Sequence, residues 1–360
     1  MTAQTILICL SDFGRGGTER IAIGLAADWA EMGRDVTILC GSEAGDLRPT
    51  VDERVKVIAV NPPIRRGFMS RFRLARAMAR HLDRLKPQVI FLPGNYHLFL
   101  ASALRRAAAQ AVIVLKISNP PWPRGLAAGA GRRLFRYFTR AMDGFAALTA
   151  DFARQVADVA PQKPVTLLHD PVYLHPAPAA ASDGACRILW AGRLEPQKDI
   201  DLALRTMAAL KQQAHLTILG DGALRDHADA MIARLGLSGR VTRAGAVPNI
   251  DSYLAQARVL LMTSHYEGQP AVVGEALAHG VPVVSTDCTS MLREVMTIPE
   301  AGRIVAGRDP AALAQALCEV CAAPPPSRDR LAALVAPFEP RRCARAYLDW
   351  FDMLVKARHG

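Results

Sequence analysis

The sequence predicts an α/β protein of two domains, each built on a parallel sheet. Short apolar runs that indicate buried strands alternate with stretches of helical periodicity, a pattern typical of parallel sheets covered by helices. The chain has 360 residues, 51% of them hydrophobic, which is enough for two cores of ordinary size. Between Asp170 and Cys186, prolines, alanines and a glycine interrupt the periodicity, as expected of a linker. We therefore expect an N-terminal domain over 1–170, a linker over 171–185 and a C-terminal domain over 186–338. A last helix would follow over 339–360.

The first predicted strand, Thr5 to Leu10, leads into a glycine-rich loop. Gly16 and Gly17 in this loop precede a helical pattern that contains Glu19 in its first turn. Glycines let the backbone approach a phosphate, and a helix N-terminus supplies N–H donors to it. The loop does not have the G-x-G-x-x-G spacing of a dinucleotide fingerprint, and no Gly-Lys-Ser or Gly-Lys-Thr of a P-loop occurs. The loop is thus a candidate phosphate site of another kind.

Two glutamates eight positions apart, Glu267 and Glu275, frame the most informative stretch of the chain. An apolar run, Val259 to Met262, predicts a buried strand before it, and Ala271 to Ala278 predicts a short helix within it. The turn Gly268-Gln269-Pro270-Ala271 offers N–H groups and the positive end of a helix to an anionic or hydroxyl-rich ligand. Each carboxylate can accept hydrogen bonds from a sugar, one from a hexose and one from a ribose. The alternative is a loop residue and a charge on a helix surface.

This stretch resembles the retaining glycosyltransferases of family 4. The resemblance rests on the two-glutamate spacing, on the Glu-Ala-Leu-Ala from Glu275 to Ala278, and on the Gly-Val-Pro-Val-Val from Gly280 to Val284. It covers nearly the whole chain and is strongest over 187–306. The family has the GT-B fold, in which two Rossmann-like domains with parallel sheets face a central cleft, and its last helix crosses back to the first domain.

The resemblance implies roles for a further set of residues. Arg193 and Lys198, which follow the predicted strand Arg187 to Trp190, would hold the donor diphosphate. Two fixed cations there would stabilise the charge that develops on the departing diphosphate without a metal. A solvated loop is the alternative for this pair. The other implied donor contacts are Gly16, Gly17 and Glu19 at the phosphates, Gly192 and Gly220 in glycine turns, and Val247 at the base.

The chain departs from the family at two places. Many members have a histidine near the donor sugar at the end of the strand that is Ala111 to Lys116 here, whereas this chain has Ser118 and Asn119. The neighbouring loop carries Asn95 and His97, so these four residues are candidates for acceptor, sugar or, for His97, catalytic contacts. A lone histidine is also commonly structural, and both interpretations stay open. In addition, Gln269 stands where an apolar side chain is common, and its amide could bind a hydroxyl or an acetamido group.

Positive charge is concentrated in the N-terminal half. Residues 1–180 hold 24 Lys and Arg against 14 Asp and Glu, whereas residues 181–360 hold 20 against 19. Two segments, Arg65 to Lys86 and Arg132 to Arg140, mix arginines with aromatic and aliphatic residues and predict basic amphipathic helices. Such helices bind anionic bilayers, and we expect them at the inner face of the cytoplasmic membrane. The alternative is a solvated face over ordinary core helices.

Other classes of partner and compartment are disfavoured. No aromatic stacking platform or recognised motif accompanies the basic residues, which argues against nucleic acid. No run of 18 apolar residues and no basic leader occur, so we expect a cytoplasmic protein without a membrane span. Seven cysteines, an odd number, suit reduced thiols, and a metal or redox role for Cys318 and Cys321 is disfavoured because no second pair accompanies them. We expect neither a cofactor nor a metal.

The resemblance therefore implies a retaining, metal-independent glycosyltransferase. Its donor would be a UDP- or GDP-linked sugar, and its acceptor a glycolipid or polyprenyl-diphosphate-linked saccharide in the synthesis of a bacterial surface polysaccharide. Two alternatives are a nucleotide-sugar epimerase of the same fold and a non-catalytic binding subunit.

Overall fold

The computed structural model describes residues 2–14, 16–65, 67, 69–122, 125–174 and 186–360. The chain divides into two compact units, one made of Met1–Pro171 with Pro340–Gly360 and the other of Val172–Glu339. Most of the predicted linker, residues 175–185, lies outside the described residues. The last helix belongs to the first unit.

The first unit is built on a seven-stranded sheet. Its strands are β1 (Thr5–Leu10), β2 (Asp35–Cys40), β3 (Lys56–Ala59), β4 (Val89–Leu92), β5 (Val112–Ile117), β6 (Gly144–Ala147) and β7 (Val165–Leu167). They lie in the order β3-β2-β1-β4-β5-β6-β7, and all the ladders are parallel. The inner strands are almost wholly apolar and buried, as expected where helices cover both faces of a parallel sheet.

The second unit repeats this plan with six strands. They are β8 (Cys186–Ala191), β9 (Ala214–Leu219), β10 (Val241–Gly245), β11 (Val259–Met262), β12 (Val283–Thr286) and β13 (Gly302–Val305). Their order is β10-β9-β8-β11-β12-β13, again with parallel ladders throughout. The prediction of two α/β domains on parallel sheets is confirmed.

Fourteen α-helices lie within the described residues, together with six short 3₁₀ segments. Seven helices belong to the first unit. Six precede the second unit in the chain: α1 (Gly17–Glu31), α2 (Ser70–Ala79), α3 (Leu82–Leu85), α4 (Ala101–Ala107), α5 (Ala128–Thr139) and α6 (Ala150–Val159). The seventh, α14 (Pro340–His359), ends the chain. The others are α7 (Ile200–Ala209), α8 (Arg225–Arg234), α9 (Asp251–Leu254), α10 (Ala271–Ala278), α11 (Met291–Val295), α12 (Pro310–Ala322) and α13 (Arg328–Leu334).

In both sheets the strand order reverses beside the first strand. The reversal lies between β1 and β4 in the first unit and between β8 and β11 in the second. Ligands of parallel α/β sheets bind at the carboxyl ends of the strands at such a point, because the two connecting helices leave on opposite faces and open a crevice. The loops after β1, β4, β8 and β11 are therefore where a site is expected.

An aromatic cluster holds α14 in the first unit. Trp29 of α1 packs edge-on against Phe91 of β4 and Phe351 of α14, with ring centroids 5.5 and 5.3 Å apart. The indole Nε1 of Trp29 donates to the carbonyl oxygen of Ala344 at 3.1 Å. Aromatic pairs in this geometry add to the free energy gained by burial. The last helix is thereby part of the core of the first unit.

The cysteines differ from the expectation of reduced thiols. Cys186 at the start of β8 and Cys321 near the end of α12 form a disulfide, with their Cα atoms 5.9 Å apart. The pairing arises because α12 packs on this sheet, where Leu317 and Val320 share a core with Ile188. The prediction is wrong for this pair, since a contact across 135 residues leaves no local signal.

Only part of each basic segment, Arg65 to Lys86 and Arg132 to Arg140, forms an amphipathic helix at the surface. Helix is confined to α2 and α3 in the first segment, and Arg66 and Phe68 lie outside the described residues. Leu74 and Met78 of α2, like Phe135 and Phe138 of α5, are buried in the core. The large apolar side chains that remain exposed in the two segments are Met69, Phe72, Leu134 and Tyr137. Across the described ranges, we find no helix with both the length and the hydropathy needed to cross a membrane.

Candidate functional site

Lys198 and Glu267 meet at the reversal point of the second sheet. Lys198 lies in the turn after β8 and Glu267 in the turn after β11, and the Nζ and Oε1 atoms are 2.6 Å apart. The side chains are only 20% and 8% exposed. Because β8 and β11 are hydrogen-bonded neighbours, their turns emerge side by side. A charge-assisted hydrogen bond in this shielded position fixes both charged groups at the edge of the sheet.

A buried hydroxyl group holds the Lys198 turn in place. Thr263, directly after β11, lies 3.0 Å from the carbonyl oxygen of Lys198 and 2.8 Å from that of Asp199, and it donates a shared hydrogen bond to them. The Oγ1 atom of Thr263 also accepts a hydrogen bond from the indole Nε1 of Trp190 at 3.0 Å. This chain of bonds ties the turn after β8 to the end of β11.

Arg308 reinforces the same turn and was not predicted as a site residue. Its guanidinium, after β13, donates to the carboxylate of Asp199 and to the carbonyl oxygens of Thr263 and Ser264. Asp199 adopts a left-handed conformation with φ of 47° and caps α7 by accepting from the N–H of Leu202 at 3.1 Å. These partners lie 44 to 109 residues from Arg308, so no spacing in the sequence could have indicated it.

The turn from Gly268 to Ala271 leads into α10 as predicted. Pro270 precedes the helix, and no side chain caps its first turn. The loop after β12 holds the turn, since Thr289 Oγ1 donates to the carbonyl oxygen of Gly268 at 2.7 Å and the N–H of Glu267 donates to the carbonyl oxygen of Cys288 at 3.1 Å. Gln269 is half-buried beside it. The helix N-terminus therefore faces the same edge of the sheet as Lys198.

Glu275 lies one turn inside α10 and is 4% exposed, which excludes a charge on a helix surface. The helix is anchored at its other end by His279. The His279 Nε2 atom is 3.1 Å from Asp251 Oδ1, and its Nδ1 atom is 2.9 Å from the carbonyl oxygen of Glu275. Both ring nitrogens thus lie within hydrogen-bond distance of an oxygen atom, and the ring links α10 to α9.

The other predicted residues of this unit lie at the ends of neighbouring strands. Arg193 is 55% exposed and forms an ion pair with Glu195 at 2.6 Å, so its partner in this structure belongs to its own loop. Gly192 lies against Lys198, where an added Cβ atom would stand 3.3 Å from Cδ of the lysine. Val247, after β10, is half-buried against the apolar core that includes α10.

Gly220 is the glycine with the tightest steric requirement in this region. Its φ is +123°, and an added Cβ atom would stand 1.9 Å from the carbonyl oxygen of Gly192. Its N–H donates to the carbonyl oxygen of Gly245 at 2.7 Å. The turns after β8, β9 and β10 therefore meet at backbone contact distance, which only glycine allows.

In the first unit, Gly16 and Glu19 form one local arrangement after β1. Gly17 begins α1, and Glu19 is buried in its first turn. An added Cβ atom at Gly16 would stand 1.9 Å from Oε2 of Glu19, so the glycine makes room for the carboxylate. The positive end of α1 favours a negative charge in this position.

Asn95 joins the loops after β4 and β5. Its Nδ2 atom donates to the carbonyl oxygen of Asn119 at 2.9 Å, and its Oδ1 atom accepts from the N–H of Ser118 at 3.0 Å. The structure thus brings together all three candidate sugar contacts. His97, by contrast, is 1% exposed and packs edge-on to Tyr96, which favours the structural interpretation.

Cys288 borders the Glu267 turn. Burial, and secondly the negative charge of Glu267, raise the pKa of its thiol from 9.0 to about 12. The group is therefore a neutral thiol at physiological pH, and it adds no charge to the site. Over the ranges that the structure describes, no cluster of three or more His, Cys, Asp or Glu residues is arranged to hold a metal.

Two family models match the chain, and between them they cover most of it. One, described as glycosyl transferases group 1, matches residues 185–323. The other, described as a glycosyl transferase 4-like domain, matches residues 16–170. Each match corresponds to one of the two sheets.

Individual proteins give the same result. An uncharacterised glycosyltransferase of Haemophilus influenzae is 24% identical over 80% of this chain and 81% of its own length. An N-acetylgalactosamine-N,N′-diacetylbacillosaminyl-diphospho-undecaprenol 4-alpha-N-acetylgalactosaminyltransferase of Campylobacter jejuni is 37% identical over 33% of this chain and 32% of its own length. The crystal structure of Anabaena HepE in complex with UDP-glucose superposes with a TM-score of 0.72 at 14% identity, covering 98% of each chain. At that identity the superposition shows the fold alone.

We expect Gly220→Ala to destabilise the second unit strongly. The strained conformation costs about 1–3 kcal/mol for a residue other than glycine, and the clash with the Gly192 carbonyl adds to it, so the loss should exceed about 3 kcal/mol. The matched control is Gly236→Ala, where φ is +67° but no atom lies within 4 Å of an added Cβ. Urea unfolding gives the free energy of unfolding of both variants. An equal loss of stability in the two variants would show that the Gly192 carbonyl moves aside at little cost.

We also expect the thiol of Cys288 to react slowly. With a pKa of about 12 the thiolate is scarce at pH 8, so alkylation by iodoacetamide should be about tenfold or more slower than that of free cysteine. Its rate should keep rising with pH beyond pH 9. Glu267→Gln removes the second cause of the shift and should accelerate the reaction at pH 8. Peptide mass spectrometry follows the residue, and a fast, pH-independent reaction would contradict the assignment.

Proposed function

The chain belongs to the glycosyltransferases of group 1, with the two Rossmann-like domains of the GT-B fold, and we propose that it moves a sugar from a nucleoside-diphosphate sugar to a membrane-associated saccharide acceptor. The observation that carries this proposal is the ion pair of Lys198 with Glu267 beside the N-terminus of α10. A cation, a carboxylate and a helix N-terminus at one reversal point suit a ligand that is both a diphosphate and a sugar.

Lys198 would act on the leaving group. Its ammonium has three N–H donors, and the bond to Glu267 uses one of them, so a phosphate oxygen can accept another. Negative charge develops on the β-phosphate as the sugar–phosphate bond breaks. A cation already fixed at that point stabilises the transition state more than the ground state.

Arg193 would supply the second cation, and we propose that no metal is required. Because this residue is exposed and pairs with Glu195 in its own loop, binding a diphosphate requires an exchange of partners. A guanidinium can bind two phosphate oxygens at once, which favours that exchange.

Transfer would retain the configuration at the anomeric carbon. We propose a front-face route in which the leaving phosphate oxygen helps to take the proton of the acceptor hydroxyl. Glu267, held by Lys198, would then accept hydrogen bonds from the hydroxyls of the donor sugar. Gln269, which lies half-buried in the same turn, would bind a further hydroxyl or an acetamido group.

Glu275 would bind the ribose and Val247 the base. A carboxylate one helical turn behind the phosphate-binding end of α10 is at a suitable distance for the hydroxyls of the nucleoside. The Anabaena protein with this fold was crystallised with UDP-glucose, which supports a uridine nucleotide as the first candidate. A guanosine nucleotide is the second.

The acceptor would be a polyprenyl-diphosphate-linked saccharide or another glycolipid of surface polysaccharide synthesis. The name of the Campylobacter jejuni relative includes a diphospho-undecaprenol-linked acceptor. The exposed Phe72 and Tyr137 among the arginines of the first unit support docking on anionic lipid, at the inner face of the cytoplasmic membrane. Asn95, Ser118 and Asn119 would contact the acceptor or the donor sugar.

We expect Lys198→Ala to lower kcat far more than it weakens donor binding. The loss of one contact to charge that develops in the transition state costs on the order of 3 kcal/mol, about a hundredfold in rate. Hydrolysis of UDP- and GDP-sugars by the protein, with product analysis, gives the rates. Lys211→Ala, an exposed lysine outside the site, is the control. A normal kcat with a raised KM would remove Lys198 from catalysis.

The two glutamates should separate nucleotide binding from sugar binding. Glu275→Gln should weaken the binding of the free nucleoside diphosphate and of the intact donor to the same extent, because both ligands contain the ribose. Glu267→Gln should weaken mainly the intact donor. Isothermal titration calorimetry with each ligand measures the four affinities, and equal losses for both ligands in the Glu267 variant would show that this residue does not contact the sugar.

A further inference from the structure

A groove on the surface of the first unit shares no lining residue with the candidate donor site. It lies between α2, α4 and α5 and has a volume of about 630 Å³. Ligand pockets in proteins commonly occupy roughly 300–1,000 Å³. The groove is therefore large enough for a ligand and not merely a packing defect.

Alanines line the groove where its helices face each other. Ala75 and Ala79 lie four residues apart on α2, and Ala103 and Ala107 lie four residues apart on α4. Residues at this spacing share one face of a helix. Four small side chains on two facing helices keep the space open, since leucine at these positions would fill much of it.

Aromatic rings line the rest of the groove. Phe99 and Phe138 pack edge-on with their centroids 5.0 Å apart, and Phe72 packs edge-on to Phe99 at 5.9 Å. Phe72 and Tyr137 also line the groove, although they are 50% and 57% exposed. Large rings left this open to solvent next to a concave apolar surface indicate that something covers them.

The charge of the lining has one sign. The three helices carry eight arginines and no aspartate or glutamate. Two of these arginines, Arg76 and Arg106, line the groove, and no carboxylate of the described chain lies within ion-pair distance of either. Arg71, by comparison, is stacked on Tyr96 and Phe99, at 5.0 and 4.6 Å from their ring centroids. Arg76 and Arg106 thus present unneutralised positive charge beside an apolar surface.

We propose that this groove binds one molecule of a polyprenyl phosphate or diphosphate lipid, with the isoprenoid chain against the alanines and aromatic rings and the phosphate at Arg76 and Arg106. The complementarity has two parts, because such a lipid is apolar along its length and strongly anionic at one end. A flat bilayer would contact the exposed arginines of these helices equally, whereas a single chain fills a concave space. The proposal rests on the proposed function in one respect, that the acceptor is carried on a lipid of this kind.

The experiment compares charge reversals inside and outside the groove. Arg76→Glu with Arg106→Glu changes two lining residues, and Arg73→Glu with Arg80→Glu makes the same charge change at exposed positions that do not line it. A third variant, Ala79→Trp, fills the groove and leaves the charge unchanged, and Ala103→Leu is the milder replacement if the tryptophan prevents folding. Circular dichroism and the thermal midpoint establish that each variant is folded.

Binding is measured by co-sedimentation with two kinds of phosphatidylcholine vesicle of equal surface charge. One contains a small fraction of undecaprenyl phosphate and the other phosphatidylglycerol. We expect the wild-type protein to prefer the polyprenyl phosphate vesicles. The Arg76/Arg106 variant and the filled-groove variant should lose that preference, with affinity falling about tenfold or more, while the Arg73/Arg80 variant should keep it.

Two outcomes would overturn the proposal. Equal losses in the two charge-reversal variants would show diffuse attraction to a charged surface, and unchanged binding by Ala79→Trp would show that the chain does not enter the groove. Donor hydrolysis separates this failure from that of the proposed function. If the wild-type protein hydrolyses the donor but does not bind polyprenyl phosphate vesicles preferentially, the proposal for the groove alone is wrong. If it shows neither donor hydrolysis nor this binding, the proposed function is wrong as well.

Discussion

The placement of β11 directly beside β8 is the constraint on which the candidate site depends. Paired residues of these strands, such as Ile188 and Val259, are 71 positions apart in the chain but adjacent in the sheet, so the turns that follow the strands emerge together. Lys198 and Glu267 lie in these turns, and their ion pair exists only because the order of strands reverses at this point. The first unit has the same reversal beside β1, and Asn95 in the loop after β4 is hydrogen-bonded to the loop after the next strand, β5.

Around that pair, several interactions of the second unit fix the turn after β8, which contains Lys198. The Thr263 hydroxyl, the Arg308 guanidinium and the left-handed Asp199 all fix the backbone that carries Lys198. In the proposed mechanism this support would favour catalysis, because a cation that is already in place needs no reorganisation when charge develops. Arg193 has no comparable support and pairs within its own exposed loop. In the proposed mechanism the two cations would therefore differ, because Lys198 is fixed in the free protein whereas Arg193 would exchange Glu195 for the ligand.

The first unit combines two uses of its arginine-rich helices. Leu74, Met78, Phe135 and Phe138 are buried in the core, so these helices are ordinary structural elements on one side. Their other side presents arginines, exposed rings and the alanine-lined groove. The interpretation as a core helix thus holds for one face of these elements, and the proposed lipid binding would use the other face.

Local patterns in the sequence determined the class of fold, and the family resemblance supplied most of the candidate residues. Apolar runs predicted β1, β8 and β11 because burial on both faces of a parallel sheet requires continuous hydrophobic segments. The stretch from Ala271 to Ala278 predicted the helix α10. The glutamate spacing and the glycine turns identified the loops that lie at the reversal points. These signals are local, since each depends on residues within about ten positions of one another.

Only the tertiary structure decided which of these residues act together. Arg308, Thr289 and the disulfide between Cys186 and Cys321 depend on contacts between distant segments, for which a single sequence carries no periodic signal. The same holds for the burial of His97, which is a polar residue in a plausible loop when viewed in sequence alone. Packing fixes the neighbours of a side chain, and those neighbours determine whether a charge is a surface residue, a structural support or part of a site.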